Sequence, residues 1–113
     1  MTTKTLFEKI RDREIPATIV YEDDEFIAFK DIKPAAKVHV LIVPKKPYPT
    51  LEAVEMNDQM QLRLLQLARR LAKELGVSDN YKLHLNVGDK VQAVPHLHLH
   101  LLGGFDKETP TAL

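Results

Sequence analysis

The stretch His96-Leu97-His98-Leu99-His100-Leu101-Leu102-Gly103-Gly104 decides how this chain folds and what chemistry it carries. Three of the five histidines fall within five residues and alternate with leucine. In a β-strand alternate residues share a face, so the imidazoles point one way and the leucines the other. The pattern therefore predicts a strand over residues 95–102 whose leucines enter a core and whose histidines line a cleft or face solvent.

A row of imidazoles on one strand face has three interpretations. A merely polar face is the least favoured, because histidine is scarce and solvated strand faces usually use other polar residues. A zinc site is possible, since histidines at alternating strand positions are good ligands, with Asp31 or Asp89 as a carboxylate partner approaching in space. In the third interpretation one histidine attacks phosphorus while its neighbours hold phosphate oxygens and serve the leaving group. The residues alone leave the metal and phosphoryl interpretations open.

The segments around this strand predict an α+β domain, with a five-stranded antiparallel sheet, one short helix and one long helix. Thr5 and Glu8 fit a capping box, which begins a short helix that must end before Pro16. An apolar stripe predicts the long helix over residues 58–75, with Gly76 at its end. The β-rich runs that predict the other four strands are residues 17–21, 25–30, 38–43 and 81–87. The acidic turn between the first two indicates a hairpin, and the run 38–43, apolar apart from His39, indicates a central strand.

Length and composition exclude several classes of protein. A chain of 113 residues predicts one domain over residues 1–113. Without cysteine it has no disulfide or thiolate ligand, which favours a reducing compartment. Sixteen basic and sixteen acidic residues argue against a nucleic-acid binder with a broad basic surface. The longest apolar run is far below the ~20 residues of a membrane helix, and we expect a cytoplasmic protein without membrane or nucleic-acid partners.

The run from His96 to Leu102 is similar to the His-φ-His-φ-His-φ-φ signature of the histidine triad superfamily, where φ is hydrophobic. The following Gly103-Gly104 resembles its nucleoside phosphoramidase branch, the histidine triad nucleotide-binding proteins. The resemblance extends over residues 6–104, since segments 14–17, 21–24, 29–32 and 39–46 follow that branch in order and spacing. It covers nearly the whole chain.

This resemblance implies a hydrolase of nucleoside 5′-phosphoramidates or related nucleotidyl conjugates that needs no metal or other cofactor. Its partner would be a purine nucleotide or nucleotidyl conjugate such as AMP. By similarity His98 is the nucleophile, which forms a nucleotidyl-histidine that water then hydrolyses. His96 and His100 flank it, with His100 on a phosphate oxygen, and His39 supports them from the third strand.

The resemblance also implies a set of nucleotide-binding residues. Asp31 would bind the ribose hydroxyls, although alone it is an ordinary turn residue before Pro34. Asn86, Gln92 and Ala93 would lie near the phosphate. The apolar walls around the base, each of which would otherwise be plain core, are Phe7, Ile10, Phe29, Ile32 and Leu41. His84 shares strand parity with Asn86, and we interpret it as incidental.

The chain departs from the family just before the triad. The usual run is Gly-Gln-Ser/Thr-Val-x-His, whereas this chain has Val91-Gln92-Ala93-Val94-Pro95-His96. Ala93 lacks a hydroxyl that would donate to phosphate, and Val91 replaces a glycine where backbone approaches the ligand. The loop 86–92 is also one residue shorter. These changes bear on the rate and the leaving group more than on the catalytic class.

Several functions therefore stay open beside the phosphoramidase. The third histidine, His100, argues against the superfamily's transferases, which carry glutamine there. A dinucleoside polyphosphate hydrolase, a nucleotide-binding interaction module with little turnover, and a zinc-binding protein remain. The family's habit of pairing long helices, together with surplus apolar Leu62 and Leu65 on the long helix, predicts a homodimer.

Overall fold

The structure is a computed structural model that describes residues 3–106, so the ends of the predicted domain, residues 1–2 and 107–113, lie outside it. Its regular elements, in chain order, are α1 (Leu6–Arg11), β1 (Ile19–Glu22), β2 (Phe26–Lys30), β3 (Val38–Pro44), a 3₁₀ turn (Leu51–Ala53), α2 (Met60–Glu74), β4 (Tyr81–Leu85) and β5 (Leu99–Gly103). Within residues 3–106, neither helix combines the length and apolar composition needed to cross a bilayer.

The five strands form one antiparallel sheet in the order β1-β2-β3-β5-β4. This confirms the predicted α+β class with one short and one long helix. It also confirms the central place of β3, whose residues are nearly all buried. The predicted hairpin is present, and the Asp23 carboxylate closes its turn by accepting from the amides of Glu25 and Phe26.

The two helices cover opposite faces of the sheet, because alternate strand residues point to opposite sides. The buried stripe of α2, formed by Met60, Leu64, Leu67 and Leu71, packs on the face that carries Leu97, Leu99 and Leu101. Helix α1 packs Phe7 and Ile10 on the other face. The strand residues that join α1 in this second cluster are Ile27, Phe29, Leu41 and Val43. The histidines of β3, β4 and β5 share the α1 side with them.

Helix α1 begins as its capping box predicts. The Thr5 hydroxyl accepts from the Glu8 amide, and the Glu8 carboxylate accepts from the Thr5 amide. Helix α2 begins two residues later than predicted, because Asp58 stays outside it and accepts from the Met60 amide through its side chain.

The predicted strand over residues 95–102 is too long at its start. Strand β5 begins at Leu99, where pairing with β3 and β4 begins. The Leu97 amide instead donates to the Tyr48 carbonyl at 2.7 Å, in the loop that follows β3. Only His100 of the three histidines therefore lies in regular strand. The fourth strand likewise ends at Leu85 rather than at residue 87.

Gly103 is required where β5 ends beside the turn after α2. A Cβ at this position would lie 2.6 Å from the Val77 Cβ, closer than real side chains approach. Gly104 then has φ +77°, a conformation that favours glycine. The pair therefore lets the strand pass close to Val77 and turn away.

Candidate active site

A cleft of about 270 Å³ opens on the α1 side of the sheet. Most of its lining is apolar and comes from α1, the segment before β1, and strands β2 and β3. The predicted site residues that line it are Phe7, Ile10, Phe29, Asp31, Ile32, Leu41, Ala93, His98 and His100. It also takes in Leu6, Ile15, Pro16, Ala17, Lys30 and Val94, which the sequence analysis did not assign to a site.

His98 is held in one tautomer by the backbone. Its Nδ1 lies 2.7 Å from the His96 carbonyl oxygen, which can only accept, so Nδ1 carries the proton. The Nε2 lone pair is then free, and no group among residues 3–106 hydrogen-bonds to it. The ring is buried against the edge of Phe7, with centroids 4.9 Å apart. His98 thus contributes an unprotonated nitrogen to a largely apolar cleft.

His96 does not line the cleft with His98 and His100, contrary to the prediction from strand alternation. It is 1% exposed because it packs beneath α1, against Thr5 and Phe7. Its Nε2 donates to the Pro44 carbonyl at 2.8 Å, and its Nδ1 therefore accepts from the Thr5 hydroxyl at 2.8 Å. Burial lowers the pKa of His96, against the opposing effect of the Pro44 carbonyl. His96 is therefore neutral at neutral pH, and its two hydrogen bonds join the start of α1 to the end of β3.

His39 and His100 are joined by a hydrogen bond, and the amide that donates to His39 determines which of the two rings is the donor. The Ala35 N–H donates to His39 Nδ1 at 3.0 Å, so the His39 proton is on Nε2. His39 Nε2 donates to His100 Nδ1 at 2.9 Å, which leaves the His100 proton on its own Nε2. Burial, and after it the nearby His84, His98 and His39, together lower the pKa of His100 to about 4. At neutral pH His100 is a neutral N–H donor.

Asp31 is a turn residue whose carboxylate also lines the cleft. As a turn residue, it accepts the Lys33 amide through Oδ1 at 2.9 Å. Its other oxygen, Oδ2, lies 3.5 Å from His39 Nε2. The carboxylate also lines the cleft beside Ile32, which is 86% exposed. Asp31 therefore places a negative charge at the open rim of an apolar cleft.

The loop before the triad is held by Gln92. Its Oε1 accepts from the Gly88 amide at 2.7 Å, and its amide donates to the carbonyls of Pro49 and Val94. This side chain is committed to the loop itself, and neither Gln92 nor Asn86 lines the cleft. Asn86 follows the last residue of β4. Ala93 does line the cleft, so the missing hydroxyl falls where a ligand would lie.

His84 is not incidental, contrary to the sequence interpretation. It pairs directly across β4 and β5 with His100. The two imidazoles are stacked, with centroids 4.1 Å apart and planes 17° apart. The order of the strands, which no local pattern reveals, decides this contact. Thr5 was likewise assigned only to its helix, since nothing local indicates that its hydroxyl meets His96.

One group of described residues has the geometry to hold a metal ion. Ligand atoms of Asp31, His39 and His100 lie within 4.8 Å of one another. A metal there would have to replace the hydrogen bond between His39 and His100. The set mixes two imidazoles with a carboxylate, which suits zinc.

Comparison with known proteins gives a consistent result. The family model described as HIT domain matches residues 12–107. The purine nucleoside phosphoramidase of Escherichia coli (strain K12) is 42% identical over 107 residues, which cover 92% of this chain and 90% of that protein. The 14 kDa zinc-binding protein of Zea mays is 43% identical over 110 residues, covering 94% and 86%. The solved structure of a HIT family hydrolase from Clostridium thermocellum superposes with a TM-score of 0.89 at 41% identity, covering 98% and 99%.

Proposed function

The chain belongs to the HIT domain family, and from that membership we propose that it hydrolyses nucleoside 5′-phosphoramidates or related nucleotidyl conjugates. The observation that carries the proposal is the tautomer of His98. Its Nδ1–H is committed to a carbonyl, so the Nε2 lone pair is available at the cleft. An imidazole held in this state is a nucleophile that needs no base to remove a proton.

The reaction follows from the tautomers of His98 and His100. His98 Nε2 attacks phosphorus, a P–N bond to the enzyme forms, and the P–N bond to the leaving amine breaks as the amine takes a proton from solvent. The His100 Nε2–H donates to a phosphate oxygen and stabilises the charge that develops there. Water then attacks phosphorus and gives a proton to solvent, the P–N bond to His98 breaks, and the nucleoside monophosphate leaves with the His98 lone pair restored.

The cleft suits a purine nucleotide such as AMP. Its apolar walls of Phe7, Ile10, Phe29 and Leu41 would take the flat base, with Ile32 at the rim. The Asp31 carboxylate is an acceptor for the ribose hydroxyls. The relative from Escherichia coli is named for purine nucleosides, which supports this choice of base. In this proposal Gln92 acts indirectly, because its hydrogen bonds hold the loop that precedes the triad.

Zinc binding is a second candidate function. The cluster of Asp31, His39 and His100 favours it, as does the name of the relative from Zea mays. A zinc ion there would replace the hydrogen bond from His39 to His100 and occupy the Asp31 carboxylate, so it would compete with ribose binding in the proposed reaction. The two functions therefore predict different responses to a chelator.

Turnover of a fluorogenic adenosine phosphoramidate, with and without a strong chelator, tests the proposal. We expect cleavage that the chelator leaves unchanged and that exceeds cleavage of a diadenosine polyphosphate. Activity lost with the chelator would identify a metal enzyme. A preference for the polyphosphate would identify the other hydrolase class, and tight AMP binding without turnover would identify an interaction module.

A further inference from the structure

His84 lies on β4, the edge strand next to β5, and its side chain is exposed. Alternate β4 residues Tyr81, Leu83 and Leu85 pack toward α2, so His84 points to the opposite, histidine-bearing face. There its ring covers one face of the His100 imidazole, with centroids 4.1 Å apart. The contact is between two nearly parallel rings rather than through a hydrogen bond.

Within residues 3–106 the His100 ring takes part in one hydrogen bond, which His39 donates to its Nδ1. One such bond leaves the ring free to tilt about the hydrogen-bond axis. His39 and His98 contact it at tilted angles, with centroids 5.2 and 5.0 Å away. The stacked His84 is the contact that restricts this tilt, because parallel rings lose contact area when one of them rotates.

We propose that His84 is a positioning residue, whose stacked ring holds His100 in the plane that aims its Nε2–H at the phosphoryl group. This inference rests on the proposed function, since it names the support for the phosphate donor of that reaction. The sheet order supports it. The apolar walls proposed for the nucleoside lie on α1, β2 and β3. The proposed nucleophile His98 and donor His100 lie beside and on β5, and His84 contacts His100 from the neighbouring strand β4.

Three variants separate stacking from other roles of His84. His84→Ala removes the ring, and His84→Phe keeps a flat ring without nitrogen. Lys82→Ala is the matched control, two residues earlier on the same face of β4. Because His84 is exposed on an edge strand, these changes should leave the fold intact, which circular dichroism would check.

We expect His84→Ala to lower kcat about 3–10-fold, the range that the loss of one aromatic pair allows. KM should change less than about twofold, because the nucleoside walls are untouched. His84→Phe should keep a kcat close to that of the native protein, and Lys82→Ala should leave kcat unchanged. The proposal is overturned if His84→Ala retains full kcat, or if His84→Phe is as impaired as His84→Ala.

A measurement without substrate keeps this test independent of the proposed function. Nitrogen-15 spectra of the histidine rings should show His100 as a single Nε2–H tautomer in the native protein and in His84→Phe. In His84→Ala the ring is free to tilt, which weakens the hydrogen bond from His39 that fixes this tautomer. The His100 nitrogen shifts should therefore move toward values that average the two tautomers. Unchanged His100 shifts in His84→Ala would overturn the inference. A native protein that shows these spectra but no turnover would overturn only the proposed function.

Discussion

A backbone group sets the tautomer of each histidine of the triad and of His39, because a carbonyl can only accept a hydrogen bond and an amide N–H can only donate one. The carbonyl of His96 fixes His98, the carbonyl of Pro44 fixes His96, and the Ala35 amide fixes His39 and, through it, His100. The sequence predicted that His98 and His100 share a face. It could not predict the tautomers of His96 and His100, because their hydrogen-bond partners lie 52 and 61 residues away along the chain.

The substitution Ala93→Ser is expected to raise turnover. Ala93 lines the cleft, and a hydroxyl there would donate to a phosphate oxygen. Such a bond to a charged group is worth ~1.5–3 kcal/mol, or about 10–100-fold in kcat if it forms only in the transition state. The measurement is kcat and KM on one adenosine phosphoramidate. The control is Lys90→Ser, which adds a hydroxyl at an exposed position of the same loop. An unchanged kcat/KM for Ala93→Ser would contradict the prediction.

The lowered pKa of His100 predicts a loss of stability in acid. An unfolded histidine takes up its proton near pH 6.5, whereas folded His100 resists until about pH 4. The unfolded state therefore binds more protons between these values, and the free energy of unfolding falls as pH falls from 6.5 to 4. Since His100 is half-buried, we expect it to contribute about 1–2 kcal/mol of that loss.

Urea unfolding at pH 7.5 and 4.5 measures this effect. His100→Gln removes this titrating group. This variant should lose about 1–2 kcal/mol less than the native protein between the two pH values. An equal loss in both proteins would show that His100 does not resist protonation in the folded state.

The elements with strong local signals, α1, α2 and β3, were predicted correctly. The capping box of Thr5 and Glu8 and the leucine stripe of α2 are contained within a few residues, so sequence alone reveals them. The start of β5 was predicted wrongly, because the Leu97 amide pairs with Tyr48 rather than with a strand. His96 still lies on the α1 side of the sheet, but Thr5 and Phe7 cover it, so it does not line the cleft. An alternating pattern predicts a shared face, but not which residues of that face a neighbouring helix covers.

Thr5 links a helix to the histidine cluster, so its loss should cost more than a helix cap alone. In Thr5→Ala, α1 loses its cap, about 1 kcal/mol, and buried His96 Nδ1 loses its partner, about 1–3 kcal/mol. We expect a total of about 2–4 kcal/mol in urea unfolding, with Thr5→Ser close to native. Thr50 caps the 3₁₀ turn through the same type of hydroxyl–amide bond. A cost for Thr5→Ala no greater than for Thr50→Ala would contradict this role.

The sheet separates the described molecule into a side that is mostly core and a side that carries the cleft. The α2 side holds the larger core, and the α1 side holds the smaller cluster, the cleft and the histidines. Composition could predict that a core of this size forms, but the meeting of β4, β5 and β3 depends on the strand order. The His84–His100 stack and the His39–His100 hydrogen bond are therefore properties of the assembled sheet.

The outer face of α2 leads us to propose a homodimer. Leu62 and Leu65 are 53% and 51% exposed, on the side of α2 away from the sheet. A two-fold pairing would place this surface against itself and bury it. Light scattering at micromolar concentration should give twice the 12.9 kDa chain mass, and Leu65→Glu should reduce it to 12.9 kDa. Met56→Glu, at a 92% exposed position off the helix, is the control. A native protein of 12.9 kDa would contradict the dimer.

The central claim is that His98 Nε2 forms the covalent bond to phosphorus, and trapping that bond tests it most directly. The protein is mixed with an adenosine phosphoramidate, quenched within a turnover, and analysed by intact mass and peptide mapping. We predict one acid-labile nucleotidyl group on His98. We also predict that His98→Ala binds AMP but forms no adduct and turns over about 10³-fold or more slowly. An adduct on another residue, or near-native turnover by His98→Ala, would contradict the account.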